Sequence, residues 1–379
     1  MRKKRKRDVI FRRRQTLAIG IILFVVGCSG VMIYKGNNNI TKEANGKSGK
    51  EKVKEEVKKV EKKEIVITAA GDCTLGTDPK FGYGSSFNAE VANAGNNYST
   101  IMKNVKDIFD KDDYTLVNLE TTFTDSNIKK DKGAGTVFHF KGPKSFVNIL
   151  NEGNIEGVTV ANNHIYDYGQ KGFDDTIQTL EEANIDYCGE GYKIIKDIKG
   201  IKFAFLGYQA WSDTKEFKEK IKADIEDCRD KGAIVVIPYF HWGIERDGKP
   251  YSVQVELGRY AIDNGADMVL GAHPHVIQSM ENYKGKLIAY SLGNFSFGGN
   301  SNPSDKRAIM LQTKFKFEDN ELKKMEYKVI PTSISSVSNR NDYRPTPYEG
   351  EKKKEVLRYV NSLSNLDGKI KDTFFSIDN

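Results

Sequence analysis

The residues of this sequence that could perform chemistry collect where apolar runs end. The chain has five histidines, and two of them, His273 and His275, stand one residue apart in GAHPHVIQ (271–278). In an extended segment, side chains two residues apart point to the same face. Imidazole is the commonest metal ligand among protein side chains. The spacing predicts a metal site, although this motif alone leaves two packed, hydrogen-bonded histidines as an alternative.

Other candidate ligands also follow apolar, β-rich runs. They are Asp72 in GDCTLG, Asn118 and Glu120 in NLE, Asn163 and His164 in ANNH, and His241 in HWG. Taken singly, such residues have structural alternatives, for example a helix N-cap for Asp72 or a turn for Asn163. As a set they offer the oxygen and nitrogen ligands that divalent ions prefer, and a carboxylate can bridge two ions. The set predicts one or two divalent metal ions, with Mn, Fe or Zn as the candidates.

Alternating strands and helices would position these residues. The β-rich runs are EIVITAAGD (64–72), YTLVNLE (114–120), IEGVTVANNH (155–164), KGAIVVIPYFHWG (231–243) and ADMVLGAHPH (266–275), and helical patterns cover 98–110, 170–185, 213–232 and 251–265. This alternation predicts an α/β domain with largely parallel, buried strands, and ligands of such sheets bind outside the carboxyl ends of the strands. Four further runs, at 201–208, 286–297, 307–318 and 322–330, alternate like antiparallel strands. Mixed sheets are therefore predicted.

The N-terminus carries a targeting segment. Residues 1–16 form a basic leader, which we expect to be cytoplasmic, and residues 17–34, LAIGIILFVVGCSGVMIY, are uncharged. As a helix, this run would be about 27 Å long, close to the thickness of the hydrocarbon core of a bilayer. Positive charge before it predicts a folded domain outside the cell membrane. Three interpretations stay open: a single-pass signal anchor, a lipoprotein signal with an acylated Cys28, and a cleaved secretory signal.

The charge distribution argues against a nucleic-acid partner. The net charge of the chain is +7, but residues 1–14 alone contribute +8, which leaves −1 for the rest. A nucleic-acid surface needs basic charge on the folded part. Residues 35–64 are rich in Lys, Glu, Asn and Gly and predict a charged linker.

We divide the rest into a globular domain at 65–331 and a polar C-terminal appendage at 332–379 with a helix at 350–364.

Cys73 is expected to be a core thiol. Four cysteines in a chain of 379 residues are too few for a disulfide scaffold. Cys188 and Cys228 could form one disulfide or stay free, and the sequence leaves both possibilities open.

Seven motifs, in this order, resemble those of the CapA family of capsule-synthesis proteins. They are GDCTLG (71–76), NLE (118–120), FHFKGP (138–143), ANNHIYDYG (161–169), HWGIE (241–245), GAHPHVIQ (271–278) and YSLGNFSF (290–297). The family is associated with poly-γ-glutamate capsules and is similar to the calcineurin-like metallophosphoesterases. The resemblance implies an α/β fold, a four-layer α/β/β/α sandwich of the metallo-dependent phosphatase type with mixed sheets, preceded by a membrane anchor.

The resemblance also implies a dinuclear-type centre. Asp72 and His275 would hold the first metal, Glu120 would bridge, and Asn163, His241 and His273 would hold the second. His164 would be the general acid, oriented by Asp167, and both would be catalytic. The chain departs from the phosphoesterase pattern at Thr74, where those enzymes carry His, and at Glu120, where they carry Asp.

A substrate contact is expected in FHFKGP (138–143). His139 and Lys141 would meet an anionic group, either a phosphate or a glutamate carboxylate. For Lys141 the alternative is a solvated lysine beside a strand.

Two functions fit these observations. The first is an extracytoplasmic, metal-dependent hydrolase or transferase acting on a phosphoester or a γ-glutamyl amide in capsule biosynthesis. The alternative is a non-catalytic accessory protein that binds or exports the anionic polymer, with a structural or vestigial metal site. The expected partners are the membrane, through the N-terminal segment, the anionic polymer or a phosphoester substrate, and capsule-synthase membrane proteins. No nucleic acid is expected.

Overall fold

A computed structural model describes residues 60–366 and 369–377. The strands in these ranges are β1 (Lys62–Thr74), β2 (Tyr114–Leu119), β3 (Thr122–Phe123), β4 (Lys141–Gly142), β5 (Gly157–Thr159), β6 (Asp186–Cys188), β7 (Lys193–Ile198), β8 (Ile201–Ala210), β9 (Val235–Trp242), β10 (Val269–Ala272), β11 (Met280–Tyr283), β12 (Lys286–Ala289), β13 (Asn294–Phe297), β14 (Arg307–Glu318), β15 (Glu321–Ser333) and β16 (Thr346–Pro347). The α-helices are α1 (Phe87–Asn93), α2 (Ser99–Met102), α3 (Lys106–Phe109), α4 (Val147–Gly153), α5 (Gly169–Glu182), α6 (Lys215–Asp230), α7 (Ser252–Asp263) and α8 (Gly350–Leu363).

The predicted leader (1–16), anchor (17–34) and most of the linker (35–64) lie outside the described residues. None of the helices in the described ranges combines the length and the apolar character needed to cross a bilayer.

Two mixed sheets form the centre of the described unit. The first has the order β16-β15-β14-β1-β2-β5-β6, and β13 also pairs with β1. In this sheet, β1, β2, β5, β6 and β13 run parallel to one another. The remaining pairs, β1 with β14, β14 with β15 and β15 with β16, are antiparallel. The second has the order β11-β12-β10-β9-β8-β7, with antiparallel pairing only at its two edges. The prediction of mixed α/β sheets is confirmed.

The two sheets pack face to face. Apolar side chains of β1, β14 and β15 meet those of β8, β9 and β10 in one buried cluster between the sheets. Helices α1 to α5 cover the outer face of the first sheet, and α6 and α7 cover the outer face of the second. The layers are therefore helices, sheet, sheet and helices. Cys73 belongs to the outer cluster of the first sheet and is fully buried, as expected of a core thiol.

Two strand predictions need correction. The run 201–208, expected to be antiparallel, is β8, which pairs parallel with β9 and antiparallel only with β7. The run 286–297 is not one strand, because β12 belongs to the second sheet and β13 to the first. The chain crosses between the sheets at residues 290–293, where Gly293 has a φ of 76° that glycine adopts without strain.

The predicted appendage at 332–379 is part of the globular unit. Helix α8 buries Val356 and Val360 in the cluster between the sheets, and Phe375 joins the same cluster. Tyr343 packs against Phe87, with ring centroids 5.3 Å apart, in the outer cluster of the first sheet. These apolar side chains are separated by many polar residues, so their common burial is a product of the tertiary fold.

The two cysteines with an open assignment are both free. Cys188 and Cys228 are buried thiols, and no disulfide joins them. They belong to different apolar clusters, one between the sheets and one under α6.

Gly271 provides a test of the packing between β10 and its neighbours. A Cβ at this position would lie 2.2 Å from the carbonyl oxygen of Tyr290 and 2.5 Å from Nε1 of Trp242. We expect Gly271→Ala to lower the free energy of unfolding by about 1–3 kcal/mol, the range typical of overpacking. Urea denaturation measures the change. Gly84→Ala is the control, because nothing lies within 4 Å of a Cβ there; equal midpoints for both variants would contradict the close approach.

Candidate metal centre

The six predicted metal ligands converge at one edge of the two sheets. Asp72 lies near the end of β1, Glu120 directly follows β2, Asn163 follows β5, His241 lies in β9, and His273 and His275 follow β10. The carboxyl ends of these parallel strands meet between the two sheets. The side chains are buried or nearly so, with Asp72 and Glu120 fully buried.

The two carboxylates are held differently. Asp72 accepts hydrogen bonds from the amide of Asn118 at 2.7 Å and from the backbone N–H of His273 at 3.1 and 3.3 Å. Neither carboxylate oxygen of Glu120 has a hydrogen-bond partner among the described residues. Burial, reinforced by the charge of Asp72, raises the pKa of Glu120 well above its ordinary value. A buried carboxylate without a donor is costly unless a cation compensates it, so the position of Glu120 fits a metal ion.

Glu120 is common to two groups of ligand atoms. The atoms of Glu120, His273 and His275 lie within 4.8 Å of one another, and so do those of Asp72, Glu120 and His241. A shared carboxylate is what a bridging position requires. The groups differ from the allocation implied by the resemblance, which places Asp72 with His275. Those two are nevertheless close, since Nδ1 of His275 is 3.2 Å from Oδ2 of Asp72.

The two histidines of GAHPHVIQ do not lie in an extended segment, which corrects the premise of the sequence argument. Strand β10 ends at Ala272, and His273 and His275 adopt left-handed φ values of 94° and 57°. Such φ values are uncommon outside glycine and cluster at functional sites. The turn is held by the backbone N–H of Arg246, which donates to the carbonyl of Pro274 at 2.8 Å. The rings still lie side by side, with centroids 5.8 Å apart.

Burial sets the protonation of these imidazoles. Burial and the neighbouring histidines lower the pKa of His241 well below its ordinary value, and burial lowers that of His273 to about 3. For His275, burial alone would also lower the pKa, but the charges of Glu120 and Asp72 outweigh it and raise the pKa to about 10. His241 and His273 are therefore neutral, which is the form that binds metal.

Asparagines beside the cluster orient the candidate ligands. Asn294 accepts from Nδ1 of His275 at 2.9 Å, and Nδ2 of Asn118 lies 3.1 Å from Nδ1 of His241. Nε2 of His241 lies 2.8 Å from Oδ1 of Asn163. Such hydrogen bonds fix the orientation of a metal-binding imidazole. The strand-end criterion identifies Asn118 in NLE, but it misses Asn294, which begins β13 inside the run 286–297 that the sequence predicts as one strand.

His164 and Asp167 form a buried pair beside the cluster. Nδ1 of His164 lies 2.7 Å from Oδ2 of Asp167, and its Nε2 lies 3.9 Å from Oε1 of Glu120. Burial lowers the pKa of His164, and the hydrogen bond to Asp167 opposes this effect. Asp167 also accepts from the backbone N–H of Phe140 at 2.6 Å and pairs with Lys132. The sequence analysis missed Lys132 because it lies in a charged loop with no apolar pattern.

The polar side-chain atoms of His139 and Lys141 form hydrogen bonds outside the cluster of candidate ligands. Nε2 of His139 is 2.8 Å from the carbonyl of Lys130, and Nζ of Lys141 donates to the carbonyl of Ser126 at 2.7 Å. Both side chains thus hold the loop between β3 and β4. Their contact with substrate stays a prediction.

The residue at position 74 affects how many metal ligands the centre can offer. Thr74 is fully buried, and its hydroxyl has no hydrogen-bond partner among the described residues. A hydroxyl is a weaker metal ligand than the imidazole expected from the phosphoesterase pattern. The donor set still contains two carboxylates, three imidazoles and an amide oxygen, which fits a divalent ion.

Comparison with known proteins assigns the family. The model of a family described as bacterial capsule synthesis protein PGA_cap matches residues 66–299. The chain belongs to this family. The matched region includes all the predicted ligands of this capsule synthesis protein, together with His164 and Asp167.

Three relatives show the range of similarity within the capsule synthesis proteins. The chain is 32% identical over 266 residues to the capsule biosynthesis protein CapA of Bacillus anthracis, covering 64% of this chain and 62% of that one. It is 29% identical over 298 residues to the PGA biosynthesis protein CapA of Bacillus subtilis, covering 74% and 76%. A probable polyglutamine synthesis accessory protein of Mycobacterium tuberculosis is 24% identical over 221 residues, covering 48% and 55%. The chain thus matches less than two thirds of the length of the Bacillus anthracis relative.

Metal binding can be tested through stability. We expect Mn²⁺ or Zn²⁺ to raise the melting temperature of the metal-free protein, because an ion that binds only the folded state stabilises it by about 2.7 kcal/mol at 100 times its Kd. Glu120→Gln should abolish the shift, since an amide cannot bridge two cations. Glu281→Gln is the matched control, because Glu281 is a buried carboxylate paired with Arg259 instead. The metal site would be contradicted by the absence of a shift with Mn²⁺, Fe²⁺ and Zn²⁺ in the unmodified chain.

Proposed function

We propose that this protein is a membrane-anchored, extracytoplasmic component of capsule biosynthesis with a metal-dependent, hydrolase-type site that acts on a γ-glutamyl amide of an anionic polymer. The observation that carries the proposal is the buried cluster of candidate ligands, in which neither carboxylate oxygen of Glu120 has a hydrogen-bond partner among the described residues and Glu120 belongs to both ligand groups. Membership of the capsule synthesis family supports the polymer as the substrate. The order of the four layers supports a fold of the metallo-dependent phosphatase type.

The residues around the cluster suit an amide or ester cleavage. Divalent ions held by Asp72, Glu120, Asn163 and the histidines 241, 273 and 275 would supply Lewis-acid polarisation and a water of lowered pKa. The hydrogen bond from Nδ1 of His164 to Asp167 fixes the imidazole so that Nε2 faces the cluster. A proton on that Nε2 can pass to the leaving nitrogen of an amide, which is general acid catalysis.

Lys132 completes the proton-transfer group in this proposal. Its Nζ pairs with Asp167, lies 3.4 Å from Nδ1 of His164 and donates to the carbonyl of Phe138 at 2.9 Å. The ammonium of Lys132 lies against the buried carboxylate of Asp167, which accepts a hydrogen bond from the Nδ1–H of His164. The loop between β3 and β4 therefore helps to hold the general acid.

A non-catalytic accessory function is the second candidate. The hydroxyl of Thr74 stands where an imidazole is expected, which reduces the nitrogen ligands available to one ion. The relative from Mycobacterium tuberculosis is named a probable accessory protein of polymer synthesis. In this alternative the protein binds or exports the polymer, and the metal stabilises the fold without chemistry.

Substitution of the general acid separates the two candidates. We expect His164→Ala to reduce cleavage of γ-linked polyglutamate by the purified full chain by about 10²–10⁴-fold, the usual contribution of a general acid. The melting-temperature shift with metal should persist, which shows that the fold and the centre are intact. In cells, the variant should accumulate to normal levels but alter the amount or length of the polymer. Normal polymer in cells carrying either His164→Ala or Asp72→Asn would favour the accessory function.

The membrane attachment is tested by changes in the N-terminal segment. We expect deletion of residues 17–34 to keep the protein out of the membrane fraction, because this run supplies the apolar length. Cys28→Ser should leave the protein membrane-bound if the segment is a signal anchor. Loss of both membrane attachment and lipid labelling in Cys28→Ser would instead identify a lipoprotein, and a soluble secreted form of the unmodified chain would identify a cleaved signal.

A further inference from the structure

Trp211 lies at the boundary between the buried cluster and solvent. It directly follows β8, and its ring contacts His273 edge-on, with centroids 4.8 Å apart and an interplanar angle of 78°. The ring of His241 lies 5.9 Å away at 88°. Trp211 is 48% exposed, whereas His241 and His273 are 1% and 6% exposed. The indole therefore presents about half of its surface to solvent directly beside two candidate ligands.

The position of Trp211 is set by the sheet. Residues 203–210 of β8 pair in parallel register with 235–242 of β9, and this register places Gln209 beside His241 and Ala210 beside Trp242. The next residue, Trp211, is thereby held at the end of the sheet. Trp211 belongs to none of the three apolar clusters that the described residues form. Its exposed surface is not explained by core packing.

The other aromatic side chains around the cluster are buried. Phe140 packs on His164 with centroids 4.3 Å apart, and Phe297 packs on His275 at 4.8 Å. Phe140 is 3% exposed and Phe297 is 7% exposed. These rings close the cluster on the sides of His164 and His275, so the side of Trp211 is where a ligand can approach.

We propose that Trp211 is a substrate-contacting residue that binds a γ-glutamyl unit next to the one held at the metal cluster. This inference rests on the function proposed above. An uncharged indole face does not attract a carboxylate, but it packs well against a planar amide and the methylenes beside it. A chain of γ-linked glutamate offers both, whereas free glutamate has no amide. Trp211 would therefore favour the polymer over the monomer.

The chain has two tryptophans, which makes the inference measurable. Trp242 is fully buried, so a change of emission on ligand binding should come from Trp211. The experiment titrates a short γ-linked glutamate oligomer into the full chain in Mn²⁺, with free glutamate as the comparison ligand. We expect the oligomer to change the emission of the unmodified protein and not that of Trp211→Phe.

The affinities decide the role of Trp211. By calorimetry, Trp211→Ala should weaken binding of the oligomer about tenfold, and Trp211→Phe should retain most of the affinity, because phenylalanine keeps a flat apolar face. Binding of Mn²⁺ and of free glutamate should be unchanged in both variants.

The alternative outcomes are distinguishable. Equal affinity of Trp211→Ala and the unmodified protein for the oligomer would overturn the inference and leave the proposed function intact. A matching loss of Mn²⁺ affinity would also overturn it, because Trp211 would then only support the histidines. If the unmodified, Mn²⁺-loaded protein does not bind the oligomer at all, the polymer function itself fails, and the ligand assigned to Trp211 fails with it.

Discussion

The burial of two carboxylates within one cluster is the constraint on which the rest of the site depends. Asp72 and Glu120 are fully removed from solvent, and burial raises the pKa of Glu120 well above its ordinary value. Asp72 is compensated by hydrogen bonds from Asn118 and the backbone of His273, but Glu120 has no such donor among the described residues. The imidazoles of His241, His273 and His275 surround this pair. A cation bound here would compensate the unpartnered carboxylate of Glu120, so it would have a structural as well as a chemical role.

Close contact between β1 and the segment that leads into β13 brings this cluster together. A Cβ on Gly71 would lie 1.8 Å from the carbonyl oxygen of Gly293, and that carbonyl accepts the backbone N–H of Asp72 at 3.1 Å. The contact lies where the chain crosses from the second sheet to the first. It places Asn294 opposite Asp72 in the register of β13 and β1, within reach of His275. Glycine is therefore required at position 71 by the close approach of another backbone, and at position 293 by the positive φ of the crossing.

The surroundings of the cluster are asymmetric. On one side, His164 is held by Asp167, Lys132 and Phe140, so its imidazole is fixed in a protected position, as a proton donor would need to be. On another side, Trp211 is half-exposed beside His273. A polymer that approaches past the indole would meet the metal ligands first and the proton donor beyond them. This order suits a site in which one unit of a chain is held while the bond next to it is cleaved.

The sequence by itself determined the α/β class, the mixed sheets and the set of candidate ligands, because these depend on local patterns. Apolar runs that end in a polar residue identify strand ends, and the strand ends of parallel sheets meet at one edge. Only the tertiary structure decided which backbone carbonyls His139 and Lys141 contact. It also decided that the run 286–297 divides between two sheets and that α8 packs on the core. It also placed Lys132 and Trp211 beside the cluster. These features depend on contacts between residues far apart in the chain, and no local period of the sequence records such contacts.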